Sequence, residues 1–198
     1  MTSHSMTTLS STSSSSSSSV SFAHVAAKPA DVHAHPVHKI PTGSWTAYFH
    51  EPDDERWTAD SYKFLQAVES WEALGALLRE IGPFRTTNGL LRIMRRDTSP
   101  LWEHRANIRG GTYCLKVTQR NACEIFNRYL AAAALGQCSK NPANEIVGVT
   151  ISPKKGFCII KVWNLDSTTY NSPSDIVLLH DEVREELVIY REHTNQRM

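Results

Sequence analysis

Residues 99 to 111 read SPLWEHRANIRGG, and within them an indole, a carboxylate and a glycine pair stand close together. Trp102 follows Ser99, Pro100 and Leu101 and precedes mostly polar residues, which places it in a loop rather than in a periodic apolar run. Trp57, at the end of the polar turn EPDDERW, and Trp163, at the end of a strand, also fall outside the obvious core. Alone, each is more often packing than function. Together with Glu103, Lys154 and Lys155 they form a coherent chemical set. Two indole faces sandwich a flat ring, and a cationic ring gains most because the indole face is electron-rich. Glu103 offers two acceptor oxygens, a match for adjacent N–H groups such as N1 and the exocyclic amine of guanine. The lysines of PKKG would neutralise phosphates; without the tryptophans they read as a solvated hairpin turn.

These side chains need a scaffold. SWTAYFH reads as a strand with Trp45, Ala47 and Phe49 on one face, and SYKFLQAV as another, with Tyr62, Phe64 and Gln66 opposite Leu65. SWEALGALLREIG predicts a helix capped by Ser70, with Trp71, Leu74, Leu77, Leu78 and Ile81 at helical spacing and a stop at Gly82 and Pro83. GLLRIMRR leads as a strand into the Trp102 loop, and GTYCLKV leads out of it. A second helix, TQRNACEIFNRYLAAAALGQ, buries Ile125, Phe126, Tyr129, Leu130 and Ala133 and ends at Gly136. EIVGVTIS and GFCIIKVW form a hairpin across Pro153, Lys154, Lys155 and Gly156. SPSDIVLLHDEVREEL reads as a third helix, and VIYREH as a last strand. The pattern implies an α+β domain on a mostly antiparallel sheet, its helices on one face and the other face free to bind.

Composition narrows the class. The chain has 198 residues, 40% hydrophobic and 21% charged, with a formal net charge of +1, which suits one globular domain with unstructured chain attached and excludes a uniformly basic nucleic-acid coat. No apolar run approaches the roughly 20 residues of a membrane span, so no membrane partner is expected. Cys114, Cys123, Cys138 and Cys158 lack CxxC spacing and read as free thiols of a reducing compartment. Every residue from Ser10 to Ser19 is serine except Thr12, and residues 1–38 are expected to be a disordered tail ahead of a domain at 39–198. His33, His35 and His38 do not make a preformed metal site, and neither metal nor cofactor is expected.

The PxWExxxNxRGG pattern, here Pro100, Trp102, Glu103, Asn107, Arg109, Gly110 and Gly111, resembles the hallmark of the eukaryotic translation initiation factor 4E family, the messenger-RNA 5′-cap-binding proteins. The resemblance extends from residue 38 through Trp57 and GVTISPKKGFCIIKVW to VIYREH, about 160 residues, although only the loop motif is highly specific. It implies a curved antiparallel sheet with three helices on the convex back and the cap on the concave face. Trp57 and Trp102 would stack on either side of 7-methylguanine, whose positive charge favours it over guanine. Glu103 would accept from N1–H and the exocyclic amine, the Trp102 backbone N–H would bind O6, and Trp163 would meet the N7 methyl group. Lys154, at the place of a phosphate-binding arginine, and its neighbour Lys155 would hold the triphosphate. Arg109 and the glycines shape the loop.

Departures carry expectations of their own. Thr112 replaces a basic residue of the family, Gly156 and Ile159 stand where more lysine is usual, and little chain follows VIYREH. Weaker binding of capped dinucleotides, with a shallow salt dependence, is expected. The family docks scaffold and repressor proteins on the helical back, through a YxxxxLΦ helix (Φ hydrophobic) packed on a tryptophan of a VExxW segment. Here that surface comprises Val68, Trp71, Gly75, Arg128, Tyr129 and Ala132, and no tryptophan stands at the matching position. Trp71 either substitutes with a one-residue shift or belongs to its own helix's core. A standard YxxxxLΦ peptide is expected to bind weakly or not at all.

The resemblance therefore implies a monomeric cytoplasmic cap-binding factor, with nuclear residence open, that meets capped mRNA and a scaffold or other binding protein. A regulatory adaptor that withholds capped RNA is the alternative. An enzyme is disfavoured: there is no Gly-rich phosphate loop, no nucleophile-and-base pair and no carboxylate cluster.

Overall fold

The computed structural model describes residues 37–194, apart from residue 97 and the side chains of residues 84 and 85. The tail read over residues 1–38 thus lies outside the described residues, except for Val37 and His38. The His38 carbonyl accepts from Trp71 N–H at 2.9 Å, and its imidazole meets the Glu72 carboxylate at 2.6 Å.

The strands are β1 (Trp45–His50), β2 (Tyr62–Val68), β3 (Leu90–Arg95), β4 (Gly111–Thr118), β5 (Ile146–Lys154), β6 (Phe157–Asn164) and β7 (Ile189–Glu192). They form one sheet in the order β2-β1-β3-β5-β6-β4-β7, antiparallel at every pairing. The pleat gives it two faces with different work. Ala47, Ile93, Val149, Val162, Tyr113 and Tyr190 lie abreast, and this row packs into the main hydrophobic core. Shifted by one residue, Met94, Gly148, Trp163 and Thr112 make a row on the opposite face, with Arg92, Thr150, Lys161 and Cys114 beside it.

Two α-helices, α1 (Trp71–Thr87) and α2 (Gln119–Leu135), contribute to the main core. Ser70 caps α1 by accepting from Ala73 N–H, and Leu74, Leu77 and Ile81 are buried. The expected stop at Gly82 and Pro83 is instead a kink. Gly82 takes a left-handed φ of 56°, and a further turn runs to Thr87, where Thr86 and Thr87 hydroxyls donate back to the Pro83 carbonyl. In α2, Ala122, Ile125, Phe126, Tyr129, Leu130 and Ala133 form the buried stripe, and Gly136 closes the helix.

The third helix expected over 172–187 does not form. Two short 3-10 turns, Pro173–Asp175 and Glu185–Leu187, stand at its ends. Two causes are visible. The capping box of Ser172 and Asp175 closes on a single turn. Beyond it, carbonyls that a helix would use internally are taken by α2: Tyr129 Oη–H donates to Val177 O and Arg128 Nη1 to Leu179 O, both at 2.9 Å. The segment lies across α2, burying Ile176, Val183 and Val188 while Leu178 and Leu187 stay exposed. The four cysteines are free thiols, two buried and two half-buried.

Candidate nucleic-acid interface

The Trp102 loop is held by backbone bonds that its own sequence supplies. Asn107 is fully buried, and its amide donates to Ser99 O at 2.8 Å and Leu101 O at 2.7 Å, clamping the segment on either side of Pro100. The Asn107 carbonyl accepts from His193 Nδ1–H at 2.7 Å. At the loop's exit a Cβ on Gly110 would overlap the Asn164 carbonyl, and one on Gly111 the Tyr190 ring, so both positions accept only glycine. Ser167 donates its N–H and its hydroxyl to the Arg109 carbonyl, while the Arg109 side chain is exposed.

Thus anchored, Trp102 packs against the second, smaller hydrophobic cluster of Met94, Val147 and Trp163, joined by Tyr48 and Leu165. This cluster lies on the sheet face away from the helices. Glu103 is exposed at its edge. Trp163 is only 2% exposed and forms the floor; its Nε1–H donates to Thr150 Oγ1 at 3.4 Å.

Trp57 comes from the β1–β2 loop and is 60% exposed. One indole face rests on the buried His50 ring, parallel to it at 4.4 Å. Both His50 ring nitrogens meet carbonyls of the same loop, Glu51 O at 2.9 Å and Arg56 O at 2.7 Å. Asp54 grips Arg56 through two side-chain bonds and one backbone bond, and these hold the Asp54 carboxyl well below the usual range. The loop therefore presents Trp57 from behind and leaves its other face to solvent.

Lys154 and Lys155 stand exposed at the β5–β6 turn. The sequence reading missed the basic residues on the sheet itself. Arg92 and Lys161 share a row with Thr150, and Arg191 lies opposite Thr112 on β7. None of these three cations forms an ion pair among the described residues. Burial pushes the Lys161 ammonium pKa down, and the charges of Arg92, Arg191 and Lys154 lower it further. The available signal was parity: Arg92 alternates with the core residues Leu91 and Ile93, and Lys161 precedes Trp163 by two. His193, fully buried against Trp163 at 4.7 Å, was missed as well. Burial pulls its pKa from 6.5 to about 4. Among the described residues, no three His, Cys, Asp or Glu side chains converge as metal ligands.

The residues proposed for partner binding separate by depth. Val68 and Tyr129 are fully buried, Ala132 nearly so, and Trp71 and Gly75 half-buried, with Trp71 packed on the core. Arg128 is exposed and pairs with Glu124 at 2.6 Å. Beside it a groove of about 620 Å³ runs between Pro83 and Thr87 of α1 and Arg120, Cys123, Asn127 and Ala131 of α2.

Comparison with known proteins agrees with this architecture. The sequence model described as Eukaryotic initiation factor 4E matches residues 42–196. Among solved structures, Ascaris suum eIF4E-3 with an m2,2,7G cap is 18% identical, with a TM-score of 0.57, covering 68% of this chain and 77% of that one. Schistosome eIF4E complexed with m7GpppG and 4E-BP is 18% identical, with a TM-score of 0.59, covering 67% and 75%. C. elegans eIF4E-3 with the 4E-binding protein Mextli is 14% identical, with a TM-score of 0.60, covering 82% and 99%. At these identities the structural likeness speaks for the fold, while the match over residues 42–196 spans most of the sequence: this chain belongs to the eukaryotic initiation factor 4E family.

Proposed function

We propose that this protein binds the 7-methylguanosine 5′ cap of mRNA in the cytoplasm and acts in translation initiation. The observation that carries the proposal is the Trp102–Trp163 cluster, set on the sheet face away from the helices with Glu103 at its edge. Trp57 and Trp102 are the two walls of the sandwich, Glu103 accepts from N1–H and the exocyclic amine, and Trp163 lies beside N7. Ring stacking supplies about 1–3 kcal/mol per face. A carboxylate acceptor makes charge-assisted bonds and fixes guanine over adenine, which presents no donor at N1. Lys154 and Lys155 remain the triphosphate ligands of this reading, and Lys161 adds a cation closer to the base. Solved relatives complexed with cap analogues, a 4E-BP and Mextli support both the cap assignment and a protein partner.

The test is tryptophan fluorescence titration with 7-methyl-GTP. Saturable quenching is expected, with Trp102→Ala weakening binding by about fivefold or more, the low end of one stacked face, and Glu103→Ala by about tenfold or more, the low end for hydrogen bonds to a charged group. Wild-type affinity retained in both variants would show that the loop is scaffold only.

A further inference from the structure

Arg92 is a charge that cap recognition by two tryptophans and a glutamate does not call for. Its side chain rises from the centre of β3 onto the open face and is 9% exposed. The guanidinium lies between two aromatic rings, 4.8 Å from the Tyr62 ring centroid and 5.0 Å from that of Trp163. Nη1 donates to the Pro100 carbonyl, two residues before Trp102. It thus touches β2 just beyond the Trp57 loop, the Trp102 loop and the Trp163 floor at once. Nε is buried without a hydrogen-bond partner among the described residues, and Nη2 has none either. Among the described residues no carboxylate pairs with it, and the carboxylate whose charge acts on it without contact is Glu103. A guanidinium stays protonated, so this is a permanent positive charge in a desolvated place.

Two consequences follow for a guanine held there by Glu103. The Hoogsteen edge of unmethylated guanine presents two acceptors, O6 and N7, and the arginine fork matches that pair bidentately. Methylation at N7 removes one acceptor and makes the ring cationic, so that a like charge faces the guanidinium. The tryptophan sandwich favours the methylated base through the cation–π term, and Arg92 opposes it. We propose that Arg92 is a specificity-determining residue that faces the O6/N7 edge of the base, so that the site's preference for the methylated base is smaller than the tryptophan sandwich alone would give. The inference rests on guanine recognition by Trp57, Trp102 and Glu103.

The test is direct titration of the full chain with 7-methyl-GTP, GTP and 7-deaza-GTP, followed by tryptophan fluorescence. GTP is expected to bind within about tenfold of 7-methyl-GTP, and 7-deaza-GTP, which lacks the N7 acceptor, about tenfold more weakly than GTP. In Arg92→Met the ratio of GTP to 7-methyl-GTP dissociation constants should rise by at least about tenfold, with 7-methyl-GTP binding more tightly than to wild type. The 7-deaza comparison uses the wild-type protein, so the proposal stays falsifiable if the buried substitution unfolds the chain. Equal binding of GTP and 7-deaza-GTP, alongside firm binding of 7-methyl-GTP, would overturn the role of Arg92 and leave cap binding standing. No saturable binding of any of the three would overturn both.

Discussion

His193 is fully buried against Trp163, donates Nδ1–H to the Asn107 carbonyl and leaves Nε2 without a partner among the described residues. Burial disfavours its charged form, and the nearby charges of Lys161 and Arg92 add to that, so its pKa falls from 6.5 to about 4. Because the folded value is the lower one, the unfolded chain takes up the proton first as the pH drops. The stability His193 contributes is complete above pH 6.5 and is lost progressively towards pH 4, on the order of 3 kcal/mol over that window. Urea denaturation at pH 7 and pH 4.5 should therefore show a steeper loss in wild type than in His193→Gln. Parallel losses in the two proteins would mean that other groups carry the dependence. The same residue couples this titration to function, since it fastens the Trp102 loop and contacts Trp163.

At the scale of the element, the Trp102 loop depends on the absence of side chains at its exit. A methyl group on Gly110 meets backbone, the Asn164 carbonyl, which has no rotamer to yield. Asn164 itself binds Gly111 N–H, Tyr190, Asn144, Asp166 O and Tyr170 O, so a shift there spreads to several segments. Gly110→Ala is expected to lower stability by about 2 kcal/mol or more, the range of overpacking against rigid surroundings. Thermal melting checks this; an unchanged midpoint would show that the loop yields. The loop was also the most legible part of the sequence, because the tryptophan, the glutamate, the asparagine clamp and both glycines fall within thirteen residues. Strands and the two α-helices were equally readable from periodicity. The segment after Ser172 was not: its apolar residues suit a helix locally, but side chains of α2, distant in sequence, claim its carbonyls. Arg92 and Lys161 stayed hidden for a related reason, since cross-strand register decides which face a residue joins and register is not a local property.

For the whole molecule, a net charge of +1 conceals a division of charge. The open face carries Arg92, Lys161 and Arg191, without carboxylate partners among the described residues, and the hairpin adds Lys154 and Lys155. Exposed carboxylates elsewhere, such as Glu124 on α2 and Glu185 beyond it, are paired with Arg128 and Lys140. Binding of a capped oligonucleotide should therefore depend on salt through the sheet as well as through the hairpin. Lys161→Ala is expected to make the logarithmic salt slope shallower by about one, the share of a single phosphate contact. Fluorescence anisotropy across a salt series measures it. A slope altered by Lys155→Ala alone would return the phosphates to the hairpin.

Among the described residues the sheet ends in two open edges, β2 and β7, and their make-up bears on how this protein behaves in a crowd. An unpaired strand is a template on which other chains polymerise. β7 is four residues long and places Arg191 and Glu192 at its end, while β1 departs from regular pairing with β2 at Ala47 and Tyr48, and β2 bears Lys63, paired with Glu51. Short length, charge and an irregular ladder are obstacles to fibril-like stacking. A sheet face left uncovered by helices can thus coexist with resistance to self-assembly, because each property resides on a different part of the same sheet.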